Sequence, residues 1–363
     1  MSSATGACIN LNALRHNLAV ARKAAFQAKF MVVIKANAYG HGMVNVAQAL
    51  TDADAFAVAR VDEAVVLRQA NIKIPIVVLS GYADKSELTI CSNLNLDVVI
   101  HCEAQVELLK AATLINPLTV WLKINTGMNR LGFNADDVLR VSASLGLLKN
   151  TCQPVKLMTH LACADDVNAE MTEQQIALFD ELVSGLEGEQ SIVNSAGLLG
   201  WSYAQRHWVR PGIMIYGASP FRNTAASDDE LMPVMTLKST VLSLRHVKKG
   251  QRVGYGATWL ATKTSLIATV GIGYGDGYPR HAASGTPILI NGQRASLVGR
   301  VSMDSITVDV SGYQNVNVGD DVILWGDGLP IEEIAEASET ISYDLMCGVT
   351  DRVPRHYMGA ING

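Results

Sequence analysis

From about Phe30 to Gly217 the chain repeats a short apolar run followed by a stretch with helical spacing. The runs are Phe30–Ile34, Ala55–Ala59, Ile74–Leu79, Leu96–Ile100, Thr119–Ile124, Val155–Leu161, Ser191–Asn194 and Trp208–Ile215. They are rich in Val, Ile and Leu and lack clean polar alternation, the pattern of strands buried on both faces. Amphipathic segments separate them. Asp62–Asn71 sets Val65, Val66 and Leu67 among charges, Asn134–Leu148 opens on an Asn cap and an acidic first turn, and Asn168–Leu186 is the longest. The alternation predicts an α/β fold, a (β/α)8 barrel of TIM type, with an open doubly wound sheet as the rival. No early GxGxxG follows the first run, which weakens the dinucleotide-binding form of that rival.

After Asn223 the pattern changes. Asn223–Pro233 is small and polar and ends in proline, as a linker would. Beyond it, Met235–Leu244, Leu266–Ile272, Pro287–Ile290, Arg294–Val298, Ser305–Val310 and Asp321–Trp325 read as strands, with turn signals at Asn291-Gly292 and Asp327-Gly328 and one short helix at Ile331–Ala337. The expectation is a barrel over residues 1–232 and a mostly β domain over 233–363, in keeping with 363 residues at roughly 150 per domain.

Composition narrows the function classes. With 49% hydrophobic and 17% charged residues the chain has ample core material and is not a disordered one. A net charge of −5 gives no basic footprint for nucleic acid or an anionic membrane. No uncharged apolar run approaches the ~20 residues of a membrane helix, and Met1–Gly6 shows no signal-peptide pattern. The 6 cysteines are scattered without a CxxC pair, which reads as reduced thiols in a cytoplasmic protein.

Barrel chemistry sits at the C-terminal ends of the strands. There the chain places Lys35, Lys123, His160, Ser195 and Arg210. Each has a plain alternative: a lysine snorkelling to solvent, a core histidine bonded to a carbonyl, an arginine paired with a carboxylate. Together they are hard to dismiss, because lysine and arginine are seldom buried without a partner. A lysine at the mouth of an apolar strand is desolvated, which favours its neutral, carbonyl-attacking form. Asn194–Gly197 and Arg210–Ile213 offer a hydroxyl and bare main-chain N–H groups where barrels commonly bind phosphate, although simple turn chemistry is the competing reading. An imine-forming lysine opposite a phosphate cradle points to pyridoxal phosphate.

At these residues the sequence resembles the alanine racemase family, nearly end to end. Val33–Gly42 is similar to the family's cofactor-lysine signature, and Lys123–Gly132 to its second motif, with Asn125 where many members carry Asp. Thr159-His160, Asn194–Ala196 and Val209–Ile213 match a third group, and Val253–Thr258, Gly273–Gly277, Ser302–Asp304 and Ser342–Asp344 complete the series in the β half. The resemblance implies that Lys35 carries pyridoxal 5'-phosphate as an internal aldimine. It implies that Tyr39, Ser195, Gly212, Ile213 and Tyr343 hold the phosphate, that Arg210 faces the pyridine nitrogen, and that His160 lies beside it. Arg130 and the backbone at Met303, with Asp304 and Tyr274 adjoining, would contact substrate, and Lys123 would take the place of the family's carbamylated lysine. Tyr255 would be a second base supplied by the other subunit of a head-to-tail homodimer. The implied activity is interconversion of L- and D-alanine, with D-alanine going to peptidoglycan.

Racemisation supports that assignment on chemical grounds. A proton must leave one face of Cα and another must arrive on the opposite face, so two opposed bases are the economical solution. An ordinary phenol is poorly ionised at neutral pH, so Tyr255 would need cationic neighbours, with His160 bridging toward Arg210. Two other readings remain at this stage. A pyridoxal phosphate carrier would need Lys35, Ser195 and Arg210 but no Tyr255, and a decarboxylase on the same plan would carry a different phosphate motif and a cysteine pattern not found here.

Overall fold

A computed structural model describes residues 5–25 and 27–360. Residues 1–4, which begin the stretch read above for a signal peptide, and 361–363, which end the second expected domain, lie outside the described residues. The first strand, β1 (Gly6–Asn10), leads into a helix, Leu11–Ala24, whose first turn is capped by Asn10 Oδ1 accepting from the amides of Asn12 and Ala13 at 3.0 and 3.2 Å.

A barrel of eight parallel strands follows: β2 (Lys29–Val33), β3 (Ala55–Val58), β4 (Ile76–Val78), β5 (Asp97–Ile100), β6 (Val120–Lys123), β7 (Lys156–Met158), β8 (Gln190–Ser191) and β9 (Trp208–Val209). It closes where β9 pairs with β2 through Trp208 opposite Lys29 and Val209 opposite Phe30. The rival open sheet is thereby excluded. Several strands are shorter than the apolar runs that announced them. In the last run only Trp208 and Val209 join the ladder, because Pro211 has no N–H to give it and Ile213–Tyr216 coils into a 3-10 turn. The helix expected from Asn134 runs Ala135–Gly146, but Asn134 does not cap it; its Oδ1 accepts instead from Asn125 Nδ2 at 3.2 Å.

The bottom of the barrel is sealed. Lys156 Nζ lies 5.1 Å from the ring centroids of both Trp121 and Trp208 and 2.9 Å from a Glu189 carboxylate oxygen. Function is left to the other end, where the strands finish.

The second half is a largely antiparallel sheet built from β10 (Met235–Val247), β13 (Ser265–Val270), β14 (Pro287–Ile290), β15 (Gln293–Leu297), β16 (Ile306–Asp309), β17 (Asp321–Trp325) and β18 (Arg355–Met358), beside a small ribbon of β11 (Arg252–Val253) and β12 (Trp259–Leu260). The long strand β10 pairs with β17 through its first half and with β13 through its second, so the sheet curls back on itself. Asn291 and Gly292, both with positive φ (49° and 75°), make the tight turn between β14 and β15 that their sequence announced. Strand β1 joins this sheet too, antiparallel to β10 and parallel to β18. The chain therefore starts in the second sheet, builds the barrel, and returns. Among the described residues no helix is long and apolar enough to cross a membrane.

Candidate active site

A cavity of about 450 Å³ opens at the C-terminal mouth of the barrel. Lys35, Lys123, Arg130 and Arg210 all line it, and no carboxylate does. Four basic side chains around one cavity without a carboxylate among its walls make its lining one-sidedly basic.

Lys35 stands one residue beyond β2, after Ile34, and opens an unusual turn. Ala36, Asn37, Ala38 and Tyr39 have φ values of 53°, 53°, 54° and 50°, one turn of left-handed helix made without a glycine. Each such residue costs about 1–2 kcal/mol, so the surroundings must hold the turn in place. Glu63 Oε1 accepts the Ala36 amide at 2.6 Å, Asn37 Oδ1 accepts the Met43 amide at 2.8 Å, and His41 Nδ1 lies 3.0 and 2.8 Å from the carbonyls of Ala38 and Tyr39. From the second domain, Arg355 Nε donates to the Gly40 carbonyl at 2.7 Å. Gly40 itself has φ +80°, and a Cβ there would stand 2.2 Å from the Met346 carbonyl oxygen. The result aims Lys35 into the cavity and places Tyr39 against Tyr216 and Tyr343, with ring centroids 4.7 and 5.8 Å away.

Opposite Lys35 lies a small cradle. Ser195 Oγ accepts the amides of Gly212 and Met214 at 2.9 and 3.4 Å, which fixes the backbone through Ile213. A Cβ on Gly212 would stand 2.7 Å from Tyr39 Oη, so only glycine leaves the hydroxyl and the backbone facing the same space. Arg210 is buried beneath. Its Nη1 donates to Ser191 Oγ at 2.5 Å, its Nη2 donates to the carbonyls of Thr159 and Ile192 at 2.7 and 3.0 Å, and Nη2 lies 3.3 Å from His160 Nδ1. None of the ion pairs among the described residues includes Arg210, so the carboxylate alternative drops out. Burial lowers its pKa to about 10, still cationic at neutral pH.

Burial and mutual repulsion act on the other bases. Lys35 is lowered from the ordinary lysine value, mainly by burial and then by Arg130, against opposing pulls from Glu63 and Cys347. Lys123 is lowered to about 7 by burial, then by Arg210, Arg130 and Lys35. His160 is held well below the ordinary histidine value by burial, then by Arg210, Lys123, Arg130 and Lys35. Tyr343 is pushed up to about 12 by burial and by Asp165.

The remaining expected residues gather elsewhere. Tyr255 sits on a 3-10 turn between β11 and β12, 69% exposed. Tyr274 and Met303 are 40% and 52% exposed and joined by backbone, the Tyr274 amide donating to the Ser302 carbonyl at 3.0 Å and the Gly275 amide to the Met303 carbonyl at 2.8 Å. None of them lines the cavity of its own chain. Asp304, expected beside substrate, has its carboxylate 2.7 Å from Arg352 Nη2. That pair ties the residue next to Met303 to Arg352.

The profile of the alanine racemase N-terminal domain matches residues 9–220 and that of the alanine racemase C-terminal domain matches residues 234–357. The chain belongs to the alanine racemase family. It is 46% identical over 350 residues to an alanine racemase of Aeromonas hydrophila, covering 96% of this chain and 98% of that one. With an alanine racemase of Coxiella burnetii the identity is 48% over 358 residues, with 97% and 98% covered. The crystal structure of a biosynthetic alanine racemase from Pseudomonas aeruginosa superposes with a TM-score of 0.95 at 44% identity, covering 98% of this chain and 99% of that one. Within the family frame, Glu63, Ser191, Cys347 and Arg355 are the site-facing or turn-holding residues that sequence reasoning did not single out. Glu63 carries a readable signal, since it stands three residues after the N-terminal boundary residue Arg60 of its helix.

Proposed function

We infer that this chain interconverts L-alanine and D-alanine, a racemase reaction whose D-alanine product serves peptidoglycan, and that it does so with pyridoxal 5'-phosphate held in the cavity between Lys35 and the Ser195–Gly212 cradle. The observation that carries this reading is the set of four basic side chains, Lys35, Lys123, Arg130 and Arg210, around a cavity with no carboxylate in its lining. The donor set fits the group: an amine depressed toward its neutral form for the aldehyde, and hydroxyls of Tyr39 and Ser195 with the Gly212–Ile213 backbone for the phosphate, Tyr343 adjoining. Arg210 would face the ring nitrogen. Bound there, the cofactor draws off the electron pair left when the Cα proton departs.

The side chains do the rest. Arg130, on the cavity wall, would orient the substrate carboxylate, and Lys35 Nζ would move a proton at one face of Cα. Because Arg210 stays protonated, it donates a hydrogen bond without surrendering the proton, which keeps negative charge at Cα and favours its return there. A second base has to act from the far face. In our reading the exposed Tyr255, Tyr274 and Met303 of one protomer cap the cavity of another in a head-to-tail homodimer, with the Tyr255 hydroxyl as the second base. His160 then lies between that phenol and Arg210.

Lys123 completes the site. Burial and the neighbouring basic side chains lower Lys123 to about 7, which makes a neutral amine available, and a neutral amine adds to carbon dioxide with release of a proton. The carbamate so formed would turn a like-charge cluster into a paired one and hold Arg130 for the substrate. Asn125 stays clear of this exchange: its Nδ2 is 2.9 Å from Asn129 Oδ1 and 3.2 Å from Asn134 Oδ1.

The direct test is to incubate the purified protein with L-alanine and pyridoxal phosphate and separate the enantiomers. D-alanine is expected to rise until the two are equal, since mirror images have equal free energies. A loaded protein that leaves L-alanine unchanged would favour the carrier reading instead.

A further inference from the structure

The left-handed turn after Lys35 depends on an acid that comes from a different βα unit. Glu63 lies in the first turn of the helix Val61–Gln69, where Oε2 accepts the Arg60 amide at 3.1 Å, the reach-back bond of a capping box, and the Ala59 amide at 2.7 Å. A helix cap needs no more than that. Yet the other oxygen, Oε1, crosses to the neighbouring strand end and takes the amide of Ala36 at 2.6 Å. One carboxylate thus satisfies three main-chain donors at the ends of two adjacent barrel strands, β2 and β3. One of the three belongs to the residue immediately after Lys35.

We propose that Glu63 is a positioning residue for Lys35, its carboxylate pinning the first amide of the left-handed turn so that the lysine amine stays aimed into the cavity. Ala36 is exposed and has φ 53°, so nothing in its own side chain holds that conformation. Its amide is the point at which the turn leaves β2, and a loss of the pin lets the backbone at residue 36 relax toward negative φ. Relaxation there rotates the Cα–Cβ direction of the preceding lysine. Small displacements of a reacting group are expensive in rate.

The charge of Glu63 acts in the same sense. The groups bearing on Lys35 are Arg130, from the loop after β6, which favours the neutral amine, and Glu63 and Cys347, which favour the ammonium; Lys123 and His160 share the same cation cluster. Glu63 is the carboxylate in that set. It offsets part of the repulsion that the cations impose on the amine.

The neighbouring helix supplies a control. Glu87, in the first turn of Lys85–Asn93, accepts the Ala83 amide at 2.7 Å in a similar capping arrangement, with no bond to the lysine turn. The experiment compares Glu63→Gln with Glu87→Gln in the full-length chain without cofactor, measuring labelling of Lys35 by trinitrobenzenesulfonate against pH by peptide mass spectrometry. At a fixed pH near 8, Glu63→Gln is expected to label Lys35 about fivefold faster than wild type, and Glu87→Gln at the wild-type rate. Loaded with pyridoxal phosphate, Glu63→Gln should lose on the order of tenfold to hundredfold in kcat with KM for alanine little changed. Equal labelling and unchanged kcat in the Glu63 variant would reduce Glu63 to a helix cap and overturn the proposal. Should Glu63→Gln fail to fold, hydrogen exchange on the wild-type chain decides: the Ala36 amide is expected to be protected like that of Ala59, and free exchange there would also overturn it. The kinetic arm rests on the racemase reading; the labelling and exchange arms do not, so failure of one is distinguishable from failure of the other.

Discussion

His160 Nδ1 and Arg210 Nη2 lie 3.3 Å apart at the floor of the cavity, where the same Nη2 also donates to the carbonyls of Thr159 and Ile192. An arginine can only donate, so the contact at Nδ1 fits a neutral imidazole with its hydrogen on Nε2, sharing an Nη2 hydrogen that also serves the nearer carbonyls. That tautomer points a donor away from the arginine, which is what a phenolate beyond it would require. His160→Phe should therefore lower kcat for L-alanine and move the acid-side ionisation of that rate profile upward, while thermal unfolding changes little. A pH profile identical to wild type would separate His160 from the second base.

Arg210 holds the floor together as well as serving the site. Replacing it by Met strands the carbonyls of Thr159 and Ile192, at about 1–3 kcal/mol for each buried group left unsatisfied, while the Ser191 hydroxyl keeps its bond to the Trp208 carbonyl. Melting of the cofactor-free chain should fall clearly. An unchanged Tm would show that solvent reaches these groups.

The Gly212 cradle can be tested by size. A Cβ at residue 212 would stand 2.7 Å from Tyr39 Oη, so Gly212→Ala should weaken pyridoxal phosphate binding, read as a higher Kd by equilibrium dialysis. Adding Tyr39→Phe removes the clashing oxygen and one phosphate donor together. The double variant should therefore bind no more weakly than Tyr39→Phe alone. Additive losses would mean that the two groups act at separate places.

Lys123 makes a prediction about stability and pH. Its folded-state pKa of about 7 lies below the ordinary lysine value of 10.5, so between these values the unfolded chain holds the extra proton and stability rises with pH. The full penalty of burying the ammonium applies below pH 7. Lys123→Met should accordingly stabilise the protein more at pH 6 than at pH 9.5 by calorimetry. Added bicarbonate should raise the wild-type Tm and leave the variant unmoved; a bicarbonate effect of the same size in both would exclude carbamylation at this residue.

Much of this architecture is legible in the chain, and the exceptions share a cause. Pro287–Ile290, Asp321–Trp325 and Ile331–Ala337 were marked out by local pattern and occupy those same residues in the structure. Strand β1 was not, because its partners Met235–Lys238 and Arg355–Met358 are hundreds of residues away and nothing local marks it. The left-handed turn is equally silent: alanine at residues 36 and 38 argues against positive φ, and the conformation exists only because Glu63, His41 and Arg355 brace it. Of the site, the lysine, arginine, serine and glycine positions at the strand ends could be read from sequence because barrels place chemistry there. The supports from other elements could not. Asn134 shows the same limit in miniature, sitting at the predicted cap position with its side chain drawn to Asn125.

Two-face chemistry predicts a stereochemical asymmetry. In deuterated water, Tyr255→Phe should lose exchange of the Cα proton of L-alanine far more than that of D-alanine, because the lysine still serves one face. Equal losses for the two enantiomers, followed by NMR, would contradict the assignment of faces.

The account depends most on the site being shared between two chains, and subunit mixing tests this directly. Lys35→Ala and Tyr255→Phe are each expected to be inactive as homodimers. After exchange of subunits, every hybrid regains one intact site, so an equal mixture should recover about a quarter of wild-type activity. No recovery, with hybrid formation confirmed by mass, would contradict a phenol reaching across the interface.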